Sequence, residues 1–104
     1  MKPQPPQPKA ALQLDLANER AVLAGAPLAL TPKAFAILRH LVAHRDRLVT
    51  KAELMRTHWP DAAVSDGVLT TAIREIRRAL GEGSREPRFI QTVRHKGYVL
   101  RPGI

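Results

Sequence analysis

The chain has 104 residues, with 17 Lys and Arg against 9 Asp and Glu and no cysteine. That length allows one domain and one core, which must be built from Leu, Ile, Val and Ala because aromatics are only 4%. Disulfides and thiolate metal sites are excluded, and the net charge of +8 favours a polyanionic partner over a merely solvated basic surface, nucleic acid before anionic membrane.

Residues 1–10 read as a disordered Pro-rich tail: Met1 to Lys9 carries Pro3, Pro5, Pro6 and Pro8 and has almost nothing to bury. The tail reads as a plain terminus or linker in preference to a ligand for a proline-reading domain. Residues 11–104 read as the folded domain. Leu12, Leu14 and Leu16 alternate with polar or small residues, the period of a half-buried strand. Asn18-Glu19 turns the chain, Arg20 to Ala24 returns as a second strand, and Pro27 to Leu30 makes a short third. Thr31-Pro32 is a helix start, with Thr as cap and Pro in the first turn. Apolar residues then recur at helical spacing from Ala34 to Val42. Leu48-Val49 pairs briefly as a strand. Thr50 with Glu53 is a capping box that opens a second helix, which carries Leu54 and Trp59 inward and stops at Pro60. Ser65 or Asp66 caps a third helix, and Gly81 and Gly83 end it. Phe89 to Val93 and Tyr98 to Leu100 face each other across Arg94-His95-Lys96-Gly97, with Gly97 permitting the turn. The class is α+β, with an N-terminal antiparallel sheet, three helices and a C-terminal β-hairpin.

The longest mostly apolar stretch, Ala21 to Leu30, is broken by Gly25 and Pro27 and falls well short of the ~18 residues that span a bilayer. The N-terminus has no apolar signal core. A soluble cytoplasmic domain without membrane contact is therefore expected.

The third helix has two distinct sides. With about 100° between successive residues, Leu69, Ala72, Ile73, Ile76 and Leu80 cluster on one face, which must be core. Opposite them stand Gly67, Thr71, Arg74 and Arg78, flanked by Thr70 and Arg77 on one edge and Glu75 on the other. Small residues near the helix start allow close approach to base edges. Arginine offers a bidentate fork to guanine or a clamp on phosphate, and Thr offers a hydroxyl or a methyl contact to thymine. Between Arg74 and Arg101 lie eight basic and three acidic residues, against nine and six in residues 1–73, so the excess is concentrated on this helix and the hairpin.

Catalytic chemistry is not legible. His40 and His44 have the spacing of a zinc-protease pair, but Leu41 stands where that motif needs Glu and no third ligand is evident, so they read as surface or capping histidines. His58 and His95 are isolated in the sequence. Gly81-Glu82-Gly83 lacks the Lys-Ser/Thr of a phosphate loop, and no paired carboxylates sit in an apolar setting. No enzyme, no cofactor and no metal are expected.

Four segments together carry a specific likeness: LTP before the first helix, VSD at the start of the third, IREIRRAL in its body, and TVRHKGY in the hairpin. Over Leu12 to Leu100 the sequence resembles the OmpR/PhoB-type winged-helix DNA-binding domain of bacterial transcription regulators. The resemblance implies a winged helix-turn-helix with a four-stranded N-terminal sheet. It makes 65–80 the recognition helix in the major groove and 89–100 the wing at the minor groove. By motif, Thr70, Thr71, Arg74, Arg77 and Arg78 face groove or backbone, Thr92 touches phosphate, Arg94 enters the minor groove, and Lys96 adds charge beside it. The loop containing Asp61, Ala62, Ala63 and Val64 corresponds to a segment that in relatives contacts RNA polymerase. Members often bind direct repeats of double-stranded DNA as tandem homodimers. Glu75 and Gly67 replace arginines common in relatives, and His95-Lys96 makes the wing tip bulkier. The short tail and lack of a receiver domain resemble regulators that carry this domain first. The competing expectations are a winged-helix protein-interaction module without specific DNA binding and charge-driven binding of RNA or anionic lipid, single-stranded RNA being disfavoured by the scarcity of aromatics for stacking.

Overall fold

The computed structural model describes residues 12–23, 25–61, 63–81 and 89–101. The Pro-rich tail and Gly83 lie outside them. Strand β1 (Leu12–Asp15) pairs antiparallel with β2 (Arg20–Leu23), which pairs with β3 (Ala26–Pro27). The β1–β2 register sets Leu12 against Leu23 and Leu14 against Ala21, and the leucines of β1 pack on the core while Gln13 and Asp15 face out. The Asp15 carboxylate accepts from the Asn18 backbone N–H at 3.3 Å and from Asn18 Nδ2 at 2.8 Å. These bonds close the turn and hold the Asp15 carboxyl below its usual range. The third strand comes earlier than the expected Pro27 to Leu30. Pro27 has no N–H to donate, and Leu28 N–H reaches the Ala21 carbonyl at 2.8 Å, after which the chain leaves the sheet. Among the described residues this sheet has three strands, β1-β2-β3, where the resemblance implies four.

Helix α1 (Pro32–Ala43) starts as expected: Thr31 Oγ1 accepts from the Ala34 N–H at 3.2 Å, and proline occupies the first turn. Helix α2 (Lys51–His58) is capped by Thr50 Oγ1, which accepts from the Glu53 N–H at 3.1 Å. The other half of the expected capping box is not made, because the Glu53 carboxylate turns to His40 and Arg47 instead. Helix α3 (Gly67–Leu80) ends on Gly81 at φ 77°, the left-handed conformation a C-cap glycine adopts at little cost. At its start Asp66 holds the cap position without a side-chain bond, and Ser65 Oγ accepts weakly from the Gly67 N–H at 3.4 Å.

The inward face of α3 is the one read from the periodicity: Leu69, Ala72, Ile73, Ile76 and Leu80 are all buried. They meet Ile37, Leu38 and Leu41 of α1, Leu54 of α2 and Leu100 of the hairpin in one cluster. Among the described residues no helix is long and apolar enough to cross a membrane.

The C-terminal hairpin consists of β5 (Ile90–Val93) and β6 (Gly97–Leu100), and Val49–Thr50 forms β4. The sheet order is β4-β6-β5, so the short strand after α1 pairs with the second strand of the hairpin: Val49 lies against Tyr98 and Thr50 against Gly97. Gly97 is not the turn residue. The residue at positive φ is His95 (64°), while Gly97 lies within β6 facing Val93. A Cβ on Gly97 would run into the Val49 carbonyl and come to 2.8 Å from Thr50 Cα. Glycine is therefore required for the close packing of β6 on β4.

Candidate nucleic-acid interface

The core side of α3 fixes what its other side can offer. Thr70, Thr71, Arg74 and Arg78 are exposed, together with Gly67. Among the described residues, neither Arg74 nor Arg78 makes a hydrogen bond or ion pair to another side chain. Gly81, at the left-handed C-cap, stops the helix directly after this run.

Arg77 has a different place from its neighbours. It is half-buried, and its Nη2 donates to the Ile90 carbonyl and to Thr92 Oγ1, both at 2.8 Å. The guanidinium thus ties α3 to β5 and does not share the outer face with Arg74 and Arg78. Thr92 remains exposed. Because its hydroxyl oxygen accepts from Arg77, its own O–H is directed to donate elsewhere.

Glu75 is also engaged. The Thr31 N–H donates to Glu75 Oε2 at 2.7 Å and the Thr31 hydroxyl to Glu75 Oε1 at 3.2 Å. The carboxylate therefore sits at the N-terminus of α1, where backbone donors and the helix dipole favour an anion. In the sequence Glu75 looks like an intrusion on a basic reading face. In the fold it joins α3 to α1, and the outward face is left to Thr and Arg.

The wing tip is a tight turn. Lys96 N–H donates to the Val93 carbonyl at 2.9 Å, and the Lys96 carbonyl accepts from Lys51 N–H at 3.0 Å, anchoring the tip to the start of α2. Arg94, His95 and Lys96 are all exposed there. In the α2–α3 connection Asp61, Ala63 and Val64 are exposed, Val64 at 39%, and Ala62 lies outside the described residues.

A second group of polar side chains meets at the junction of α1 and α2. His40 Nε2 lies 2.7 Å from Glu53 Oε2, and His40 Nδ1 lies 2.9 Å from His58 Nε2. Arg47 Nη2 donates to the same Glu53 oxygen at 3.2 Å. The bonds from His40 first, then Arg47, hold the Glu53 carboxyl below its usual range. Burial, with His40 and Lys33 adding to it, pushes the His58 imidazole below its usual value. His44 stands one turn beyond His40, its ring centroid 5.3 Å away. The sequence offers His40 and His44 no further ligand and leaves His58 isolated; the fold brings Glu53 and His58 to them from α2.

The family model described as "Transcriptional regulatory protein, C terminal" matches residues 25–100. The transcriptional regulatory protein PrrA of Mycobacterium leprae is 34% identical over 91 residues, covering 86% of this chain and 39% of that protein. The chain therefore spans about two fifths of the length of such a relative. Among solved structures, the RstA DNA-binding domain of Klebsiella pneumoniae, in complex with RstA box, superposes with a TM-score of 0.79 at 29% identity, over 88% of this chain and 92% of that one. The response regulator DrrB of Thermotoga maritima, an OmpR/PhoB homolog, gives a TM-score of 0.79 at 32% identity, over 86% of this chain and 41% of that one.

Proposed function

The chain belongs to the OmpR/PhoB-type family of transcriptional regulatory C-terminal domains, and we propose that it binds double-stranded DNA sequence-specifically in the control of bacterial transcription. The observation that carries this reading is the outward row Thr71, Arg74 and Arg78 on α3, together with Thr70 at its edge, beside a wing whose exposed tip is Arg94-His95-Lys96.

Helix α3 enters the major groove with its threonines nearest the base edges. Arg74 reads a base and Arg78 clamps phosphate. Thr92 donates its hydroxyl to a phosphate oxygen, Arg94 reaches the minor groove, and Lys96 neutralises the backbone beside it. Arg77 acts at one remove, by holding β5 against α3 so that wing and helix meet the duplex in fixed relation. Neutralising phosphates releases counterions, so affinity falls steeply with salt. Two copies occupy a direct repeat, and the α2–α3 connection, with Asp61, Ala63 and Val64 exposed, is the surface offered to RNA polymerase. The protein acts in the cytoplasm.

Selection of binding sites from a random duplex library at about 0.15 M salt tests this, since sequence-independent binding alone is weak there. Enrichment of a defined motif is expected, with a direct repeat if copies bind in tandem. Weak retention of all duplexes without enrichment refutes sequence reading and favours a winged helix used for protein contacts.

A further inference from the structure

The strongest feature outside the α3–wing surface is the histidine cluster between α1 and α2. It shares no residue with the proposed DNA-binding set. His40 lies in the last turn of α1 and His44 four positions on, at the helix C-cap, and each offers an imidazole nitrogen to one cluster. Glu53 adds a carboxylate oxygen from α2, and the three ligand atoms all lie within 4.8 Å of one another. Beside them opens a cleft of about 320 Å³ lined by Phe35, Ala36, Arg39, His40, His44 and His58.

We propose that His40, His44 and Glu53 bind a divalent transition-metal ion of the zinc class, with His58 orienting His40. Two imidazoles and one carboxylate are the donor set such ions take, and a tetrahedral ion held by three side chains leaves one position open to the cleft. His40 Nε2 and Glu53 Oε2 are 2.7 Å apart, which one shared proton explains. A metal ion replaces that proton and needs the pair to separate by about 0.6–0.7 Å, to the ~3.3 Å between two tetrahedral ligand atoms, with His44 closing from the exposed side. The outer contacts are already in place. The second nitrogen of His40 faces His58 Nε2 at 2.9 Å, so His40 Nδ1–H can donate to it and leave Nε2 bare for the ion. Arg47 donates to both Glu53 oxygens, Oε2 included, fixing the carboxylate's direction while competing for its charge. A bound ion cross-links α1 to α2 through side chains that are 13 and 9 positions apart in the sequence (His40 and His44 to Glu53).

The test is titration of the 104-residue chain with Co2+, followed by visible absorption, and displacement by Zn2+ followed by calorimetry. One equivalent of Co2+ is expected to give the absorption bands of a low-coordinate nitrogen–oxygen site, and Zn2+ to abolish them. His44→Gln, at an exposed position, and Glu53→Gln should each weaken binding at least about 10-fold, the loss typical of disturbing a metal's ligand shell. His95→Gln, on the wing, should leave it unchanged. In the unsubstituted chain Zn2+ must shift the ring nitrogen resonances of His40 and His44. The assignment is overturned by absence of saturable Co2+ and Zn2+ binding, by full affinity in either His44→Gln or Glu53→Gln, or by shifts confined to His95.

Discussion

The outer face and the flanks of α3 carry the same kinds of side chain and use them in opposite ways. On the face, Arg74 and Arg78 extend into solvent. On the flanks, Arg77 is bonded to β5 and Glu75 to the start of α1. Arg77 lies between them in sequence, three positions from Arg74 and one from Arg78. Yet a helix turns about 100° per residue, so this offset is enough to move a guanidinium from solvent to the hairpin. Charge on the outer face is available to a partner, whereas charge on the flanks holds the reading elements in their relative places. The wing repeats the division, with Gly97 packed against β4 directly beside an exposed tip at Arg94, His95 and Lys96.

On this division, substitutions at packed and flanking positions act on stability, and those on face and tip act on binding. The largest effect is expected from Gly97→Ala. Its Cβ meets backbone atoms of β4, which cannot swing aside as a side chain can. A cost of about 3 kcal/mol, at the upper end for overpacking, should appear as a lower urea midpoint. Unchanged stability would mean that β4 and β6 are not packed as described. Arg77→Ala comes next. It removes two charge-assisted bonds at a half-buried site, so a loss of roughly 2–3 kcal/mol is expected, with weaker DNA binding following from a loosened wing.

Arg74→Ala sharpens the contrast from the other side. It should change stability by less than about 0.5 kcal/mol, as exposed substitutions do. It should cost about 1–3 kcal/mol in DNA affinity and relax the preferred site at one position. Equal affinity and an unchanged site preference would remove α3 from the reading role. Glu75→Gln is the smallest. It keeps an acceptor but deletes the charge at the start of α1, for about 0.3–1 kcal/mol of stability. Because that carboxylate points to Thr31, DNA affinity should be nearly unaffected. A large rise in affinity would show that Glu75 opposes phosphate directly.

Much of this division is legible in the amino-acid sequence. The buried face of α3, the cap at Thr31 and the C-cap at Gly81 follow from periodicity and local chemistry. The caps have their partners within a few positions along the chain, and the buried face is marked by spacing within one helix. The exposed row Thr71, Arg74 and Arg78 is legible as the complement of the buried face. Arg77 and Glu75 are legible only as flanking residues, because their partners are 13 to 44 positions away. Thr50 and Glu53 show the limit within one motif. The Thr50 cap is local and forms, whereas the Glu53 half yields to His40 and Arg47, whose positions depend on how α1 and α2 pack.

Hydrophobic spacing and capping groups that act within a single turn are enough to specify a small basic α+β domain, the order of its elements, and which side of α3 faces the core. Three further properties arise only when distant elements pack together. Gly97 serves strand packing, β4 completes the hairpin's sheet, and His40, His44, His58 and Glu53 meet. Periodicity states that a face is covered. Which side chain covers it depends on the angle and register at which distant elements pack, and those are set by the whole core at once.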